Sequence, residues 1–281
     1  MGELRGWARR LRRQLGIAAR MDLLVVLRSR SQAAVWIVTD FIAYTTGVGA
    51  VLLVAERFNG IAGWTKPQLV FLTGFAATAS ALRGALFGYN ISAISRRIGR
   101  GQLDHTLTQP QPLLLSLLTE GFTPLTSVGA LVPGLVLLVT GALTIDIAVT
   151  PWFVARLVVC LVSSMLLVLA ASFAIGSAAF WAPRGAEEIS TRAGNLLELT
   201  EFPLDPLPSA LRTALVTALP AGFVSWFPVS ALLDRRSEHD WLYAPLVAAL
   251  AIAGAALLFK KGLHRYAHTG SSRYSDFGHR R

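Results

Sequence analysis

Four carboxylates in the last third of the chain are spaced as one side of a helix. Glu187, Thr191, Gly194, Glu198, Glu201 and Asp205 follow at intervals of four, three, four, three and four residues. A helix stacks residues three and four apart on one face, so Glu187, Glu198, Glu201 and Asp205 share it. Inside a membrane such a face lines a bundle interior or an aqueous path and favours cationic or polar cargo. Outside one, it is the solvated side of an interfacial or cytoplasmic helix. The spacing alone leaves both readings open. Asp40 and Glu120 are further acids set in apolar sequence, with Arg83 and Arg156 as candidate partners across a bundle.

Other chemistry is poorly supplied. His264 and His268 lie four apart, but two histidines without a third ligand rarely hold a metal, so no metal site is expected. Cys160 is the only cysteine, which rules out an internal disulfide and a cysteine metal site. The three lysines, Lys66, Lys260 and Lys261, follow no G-x-x-x-x-G loop, so the chain lacks the P-loop needed to hydrolyse ATP. No catalytic residue is assigned.

The elements that position these groups are apolar. Leu157–Pro183, Gly121–Ile145 and Trp241–Phe259 carry no charge at all, and about 20 such residues suffice to cross a bilayer. With 53% hydrophobic and 15% charged residues over 281, the composition is that of a polytopic helical membrane protein. The net charge of +10 sits in loops and tails, where orientation and anionic lipid account for it; nucleic acid is not an expected partner. Arginine outnumbers lysine 23 to 3, which points to a G+C-rich bacterial genome and little more.

Five spans are readable, at about 32–55, 67–90, 113–142, 153–181 and 241–259. The first holds Asp40, at a cost of about 3 kcal/mol that its apolar residues offset; that acid should face protein. In the second, Ala76, Ser80, Gly84 and Gly88 recur every fourth residue, a stripe suited to close helix packing within the chain or across a dimer seam. In the third, Pro124 and Pro133 predict a kink. Arginines and lysines divide 19 against 5 between alternate loops, which places both termini in the cytoplasm and requires an even number of crossings. The sixth lies within 186–233. Prolines 206, 208, 220 and 228 favour a crossing at 186–204 followed by a re-entrant pair at 206–233; the alternative makes 206–233 the crossing and 186–204 a cytoplasmic helix.

At the N-terminus, Leu4, Trp7, Leu11 and Leu15 alternate with Arg5, Arg9, Arg12 and Arg13, the pattern of a helix lying in the headgroup plane. The apolar run after it has no small-residue cleavage site and should remain as a signal anchor. The expected fold is an all-α integral membrane protein of six transmembrane helices, with an N-terminal interfacial helix, a cytoplasmic coupling helix and a re-entrant helix pair before the last span. It forms a single domain over 1–281: a cytoplasmic amphipathic helix at 1–30, the membrane bundle at 32–260 and a cytoplasmic tail at 261–281.

The loop Asn90–Pro112 mixes arginines with Ile91, Ile94, Ile98, Leu103 and Leu107, apolar residues that a merely solvated loop does not need. Its Gly101, Leu103, Asp104, Leu107 and Pro110 resemble the G-x-L-D-x-x-L-x-x-P stretch in membrane subunits of type-2 ABC transporters, the six-span bacterial permeases encoded beside a separate ATPase. The proline-marked run 206–228 and the ending Gly262, Arg265, Tyr266, Gly270, Ser271 and Arg273 resemble that family too. Gln109 departs from the basic residue usual before the proline.

The resemblance implies that the 90–112 loop inserts into a cleft of an ABC ATP-binding subunit, with Arg96, Arg97, Arg100, Leu103 and Asp104 as coupling residues. Asp104 equally suits a helix cap. It further implies ATP-driven export, ATP and Mg bound by the partner ATPase with no cofactor on this chain, contact with membrane lipid, and a second permease subunit as homodimer or paralogous heterodimer. Drug, peptide, lipid-linked sugar and organic cation are all compatible substrates. The alternative class is a secondary, proton-coupled transporter or channel using Glu120 or the acidic face. Neutralising Glu187, Glu198, Glu201 and Asp205 together is expected to leave folding intact and to impair uptake of a cationic cargo into membrane vesicles; unchanged uptake would remove these acids from the transport route.

Overall fold

A backbone that loses water has to close its hydrogen bonds locally, and an uncharged apolar chain does so as helix. The computed structural model describes residues 2–57, 60, 62–88, 97, 102–119, 121–182, 188, 202–217 and 220–269, and no strand occurs among them. In chain order the described helices are α1 (Gly2–Arg28), α2 (Arg30–Arg57), α3 (Lys66–Phe87), α4 (Gln102–Leu107), α5 (Leu113–Thr119), α6 (Val128–Thr144), α7 (Pro151–Ser177), α8 (Ser209–Thr217), α9 (Trp226–Leu232) and α10 (Tyr243–Thr269). Short 3-10 turns at Ala178–Phe180, Ala221–Phe223 and Asp240–Leu242 extend or join them.

Three of these helices are long and apolar enough to cross a membrane: Lys66–Phe87, Pro151–Phe180 and Asp240–Thr269. A fourth is added if Ser209–Thr217 and Ala221–Leu232, which meet at a 74° bend, count as one span. Helix α2 covers the first expected span, 28 residues long with Asp40 as the single charge between Arg30 and Glu56. The third expected span, 113–142, is corrected: it is not one kinked helix. Helix α5 ends at Thr119, a turn holds Pro124, and α6 starts at Val128 and runs through Pro133 to Thr144. The break has a packing cause. Gly88, at φ +59°, brings its backbone against Gly121, where an added Cβ would lie 2.7 Å from the Gly121 Cα. The last helix also outruns its expected limit, continuing past Lys260 and Lys261 to Thr269.

Helix α3 is the centre. Residues 71–79 are all buried, enclosed by α6, α2 and α7. The closest approach is between α3 and α6: a Cβ on Gly74 would overlap the Leu138 backbone nitrogen, and one on Gly141 would lie 2.6 Å from the Phe71 nitrogen. Small residues permit such backbone proximity and the dispersion contacts that come with it. Of the expected stripe, Ala76 is buried in the chain's own core and Gly88 meets Gly121, so both serve packing within the chain.

The bundle has two distinct ends. At one, Trp64, Leu69, Phe153, Leu204, Trp226 and Ala244 form a cluster, gathering the starts of α3, α7 and α10. At the other, Leu103, Leu117, Phe173, Phe180, Phe259 and Tyr266 gather the ends of α7 and α10. Between them, Phe223 and Val224 pack on Leu167, Val168 and Ala248. Gly74→Ala is expected to destabilise the protein by about 1–3 kcal/mol through overpacking, read as a lower melting temperature in detergent. Gly254→Ala, where an added Cβ meets nothing within 4 Å, should leave that temperature in place.

Candidate functional site

The polar segment after α3 is held at the Phe180–Tyr266 end of the bundle. Helix α4 is a six-residue turn whose Thr106 hydroxyl donates to the Gln102 carbonyl at 3.0 Å. It ends where the Thr108 amide returns to the Asp104 carbonyl at 3.2 Å, just ahead of Pro110 and Pro112. On its inner side Leu103 is fully buried among Leu117, Phe173, Phe180 and Phe259. Next to it, Asp104 accepts a 2.6 Å hydrogen bond from the Tyr266 hydroxyl.

Tyr266 is fixed in turn. Its ring stacks edge-on to Phe180 at 5.9 Å, and Phe180 meets Phe259 in the same way at 5.6 Å. One turn before Tyr266, Gly262 leaves room for the Phe180 ring, which any Cβ there would strike. The two polar stretches singled out in the sequence, around Leu103–Asp104 and around Gly262–Tyr266, therefore touch each other. Leu103 and Asp104 face the bundle, while Gln102, His105 and Leu107 are exposed. Arg97 is half-buried; Arg96 and Arg100 lie outside the described residues.

Helix α1 ties in the far side of the same segment. Gln14 Nε2 donates to Gln111 Oε1 at 2.9 Å. Asp22, only 4% exposed, accepts from the Leu125 amide at 2.7 Å and from the Thr126 hydroxyl at 2.8 Å. It thereby satisfies a free amide in the turn that leads into α6, as an N-cap side chain does. These contacts were not foreseen. The available signal was an acid, Asp22, set between Met21 and Leu23 on an arginine-rich helix.

Of the acidic face, Glu187, Glu198 and Glu201 lie outside the described residues. Asp205 sits at the opposite end of the bundle from Asp104. Its Oδ2 accepts from both the Trp64 and Trp226 indole nitrogens, each at 2.6 Å. The Arg235 guanidinium lies 4.5 Å over the Trp64 ring, and Arg236 lies 4.6 Å over Trp226 and 4.3 Å over Phe227. Arg235 also donates to the Gly63 carbonyl at 2.9 Å. Burial draws the Arg236 guanidinium below its usual value, and the charges of Asp240 and Asp205 oppose that shift. The Asp205 carboxylate thus joins two buried indoles, a structural tie that its place on the acidic face did not suggest.

A hydrogen bond to an ionised carboxylate is worth about 1.5–3 kcal/mol. Tyr266→Phe and Asp104→Asn should each lower thermal stability in detergent. The double variant should cost little more than either alone, as a cycle of coupled partners requires; full additivity would show that the two do not act as a pair.

A protein-family model described as ABC-2 family transporter protein matches residues 36–270, from within α2 to just past α10. No curated protein matches the chain, and no solved structure does.

Proposed function

The chain belongs to the ABC-2 transporter family, as a multi-pass permease subunit of an ABC transporter, and we propose that it couples to a separate ATP-binding subunit through the segment 90–112 to drive export. The observation that carries this reading is the Asp104–Tyr266 bond. It joins the segment between α3 and α5 to the last helix, so a push on that segment has a defined recipient.

In this reading the five coupling residues divide by task. Leu103 and Asp104 anchor the segment to α10. Arg96, Arg97 and Arg100, with exposed Leu107, meet the ATPase. Closure of the ATPase dimer on ATP and Mg displaces α4, and the displacement passes through Tyr266 and the Phe180–Phe259 rings to α7 and α10. Gln111 carries it to α1 through Gln14. A second permease copy or paralogue completes the path, and Glu187, Glu198 and Glu201 line it.

The topology proposed is six crossings with both termini in the cytoplasm of a bacterial inner membrane and α1 at the lipid interface. Two contacts support it. The end of α7 lies beside Tyr266, whereas Asp205 lies on Trp64 at the other end; a crossing at 186–204 joins them. Asp205 and Arg235 both rest on the same Trp64, so the stretch between them leaves and returns on one side, as a re-entrant pair does. The tagged protein, purified from its native membrane in mild detergent, should bring down a P-loop ATPase in stoichiometric amount. Arg97→Glu with Arg100→Glu should abolish that recovery, and the variant's melting temperature separates loss of the contact from loss of fold. Reproducible purification with no ATPase would favour a secondary transporter instead.

A further inference from the structure

A groove of about 450 Å³ opens between α2, α3 and the start of α6, within the size range of small-ligand sites. Among the described residues that line it, Asp40 is the one that carries a charge. Trp36, Asp40 and Tyr44 step by four along α2 and all three line the groove, as residues on one helix face do. The opposite wall is small and apolar, from Ala81, Ala85 and Ala130. Ten residues separate Asp40 from the start of α2 at Arg30, which sets it about 15 Å along the helix.

Asp40 makes no hydrogen bond or ion pair with any described residue. An acid at membrane depth without a partner is costly. Elsewhere the chain provides for its acids: Asp22, Asp104 and Asp205 all have donors. At Asp40 a carboxylate with no partner among the described residues instead lines an open groove, with Trp36 and Tyr44 one turn to either side of it on α2. Carboxylate plus aromatic faces is the recognition chemistry of an organic cation, through charge and cation–π attraction. Access is provided as well. Trp36, Thr123 and Thr126 also border a second groove of about 320 Å³ that runs beneath α1 past Ile17 and Met21.

We propose that this groove binds an amphiphilic organic cation, its charge against Asp40 and its apolar body along Trp36 and the alanine wall, reached from the leaflet beside α1. The site rests on the permease reading only in needing a membrane around it; it requires no ATPase. Its cargo class agrees with the acidic face read from the sequence, yet it stands on different residues.

The test is equilibrium binding of radiolabelled tetraphenylphosphonium to the purified full-length chain in lipid nanodiscs, so its outcome is independent of whether an ATPase co-purifies. Wild type should bind saturably. Asp40→Asn should weaken binding about tenfold or more, Asp40→Glu should restore most of it, and Trp36→Ala should weaken it less than Asp40→Asn. Triphenylphosphine oxide, neutral and of similar bulk, should compete poorly. The melting temperature of each variant separates loss of the site from loss of fold. Equal binding by folded Asp40→Asn would overturn the proposal. So would absence of saturable binding in wild type, and native mass spectrometry showing that Asp40→Asn breaks a dimer would then assign the groove to a second copy.

Discussion

The rest of the bundle depends on how closely α3 and α6 approach. Between two helices in lipid there is little hydrophobic driving force, and association relies on dispersion at short range. Gly74 and Gly141 remove the side chains that would hold the two backbones apart. With α6 drawn in, α3 is enclosed on its other sides by α2 and α7, and residues 71–79 lose all contact with the surroundings. The turn at 121–127 follows from the same geometry. Gly121 has to lie against Gly88 for α6 to enter at this angle, so the chain cannot continue straight from α5.

Both ends of α3 then become fixed points for polar attachments. At its start, Asp205 bridges Trp64 and Trp226. Beyond its end, Leu103 and Asp104 dock on α10, and Asp22 closes the turn before α6. Each attachment places a carboxylate where its charge is met by directed donors. The donors are neutral (indole, phenol, amide and hydroxyl), so each contact is directional and short, and none depends on an ion pair.

The strongest periodic and compositional signals were legible beforehand. Charge-free length identified the α7 and α10 regions, because lipid imposes that length directly, and the α3 span was read despite Arg83. The amphipathic residues 3–18 lie within α1, and Leu103 and Asp104 were chosen from their motif. What could not be read were contacts between residues distant in sequence. Nothing local in Asp104 points to Tyr266, and the tail motif around Tyr266 gave no partner. Pro124 and Pro133 suggested a kink of one helix, since proline density does not say whether a break will be a bend or a turn. The Gly88–Gly121 approach decided that. Asp205 was grouped with the glutamates on spacing alone, and spacing carries no information about a tryptophan well over a hundred residues earlier.

Trp64 has a mechanical meaning of its own. One fully buried side chain receives both feet of the stretch 205–235: Asp205 at its indole nitrogen and Arg235 on its ring face. A flap with both feet on one pivot cannot peel from either end while the other holds. Between the feet, buried Phe223 and Val224 seat against α7 and α10, so the stretch is held at its middle as well as at its base. Because the pivot sits at the head of α3, the helix enclosed by α2, α6 and α7, the stretch takes its position from α3 itself.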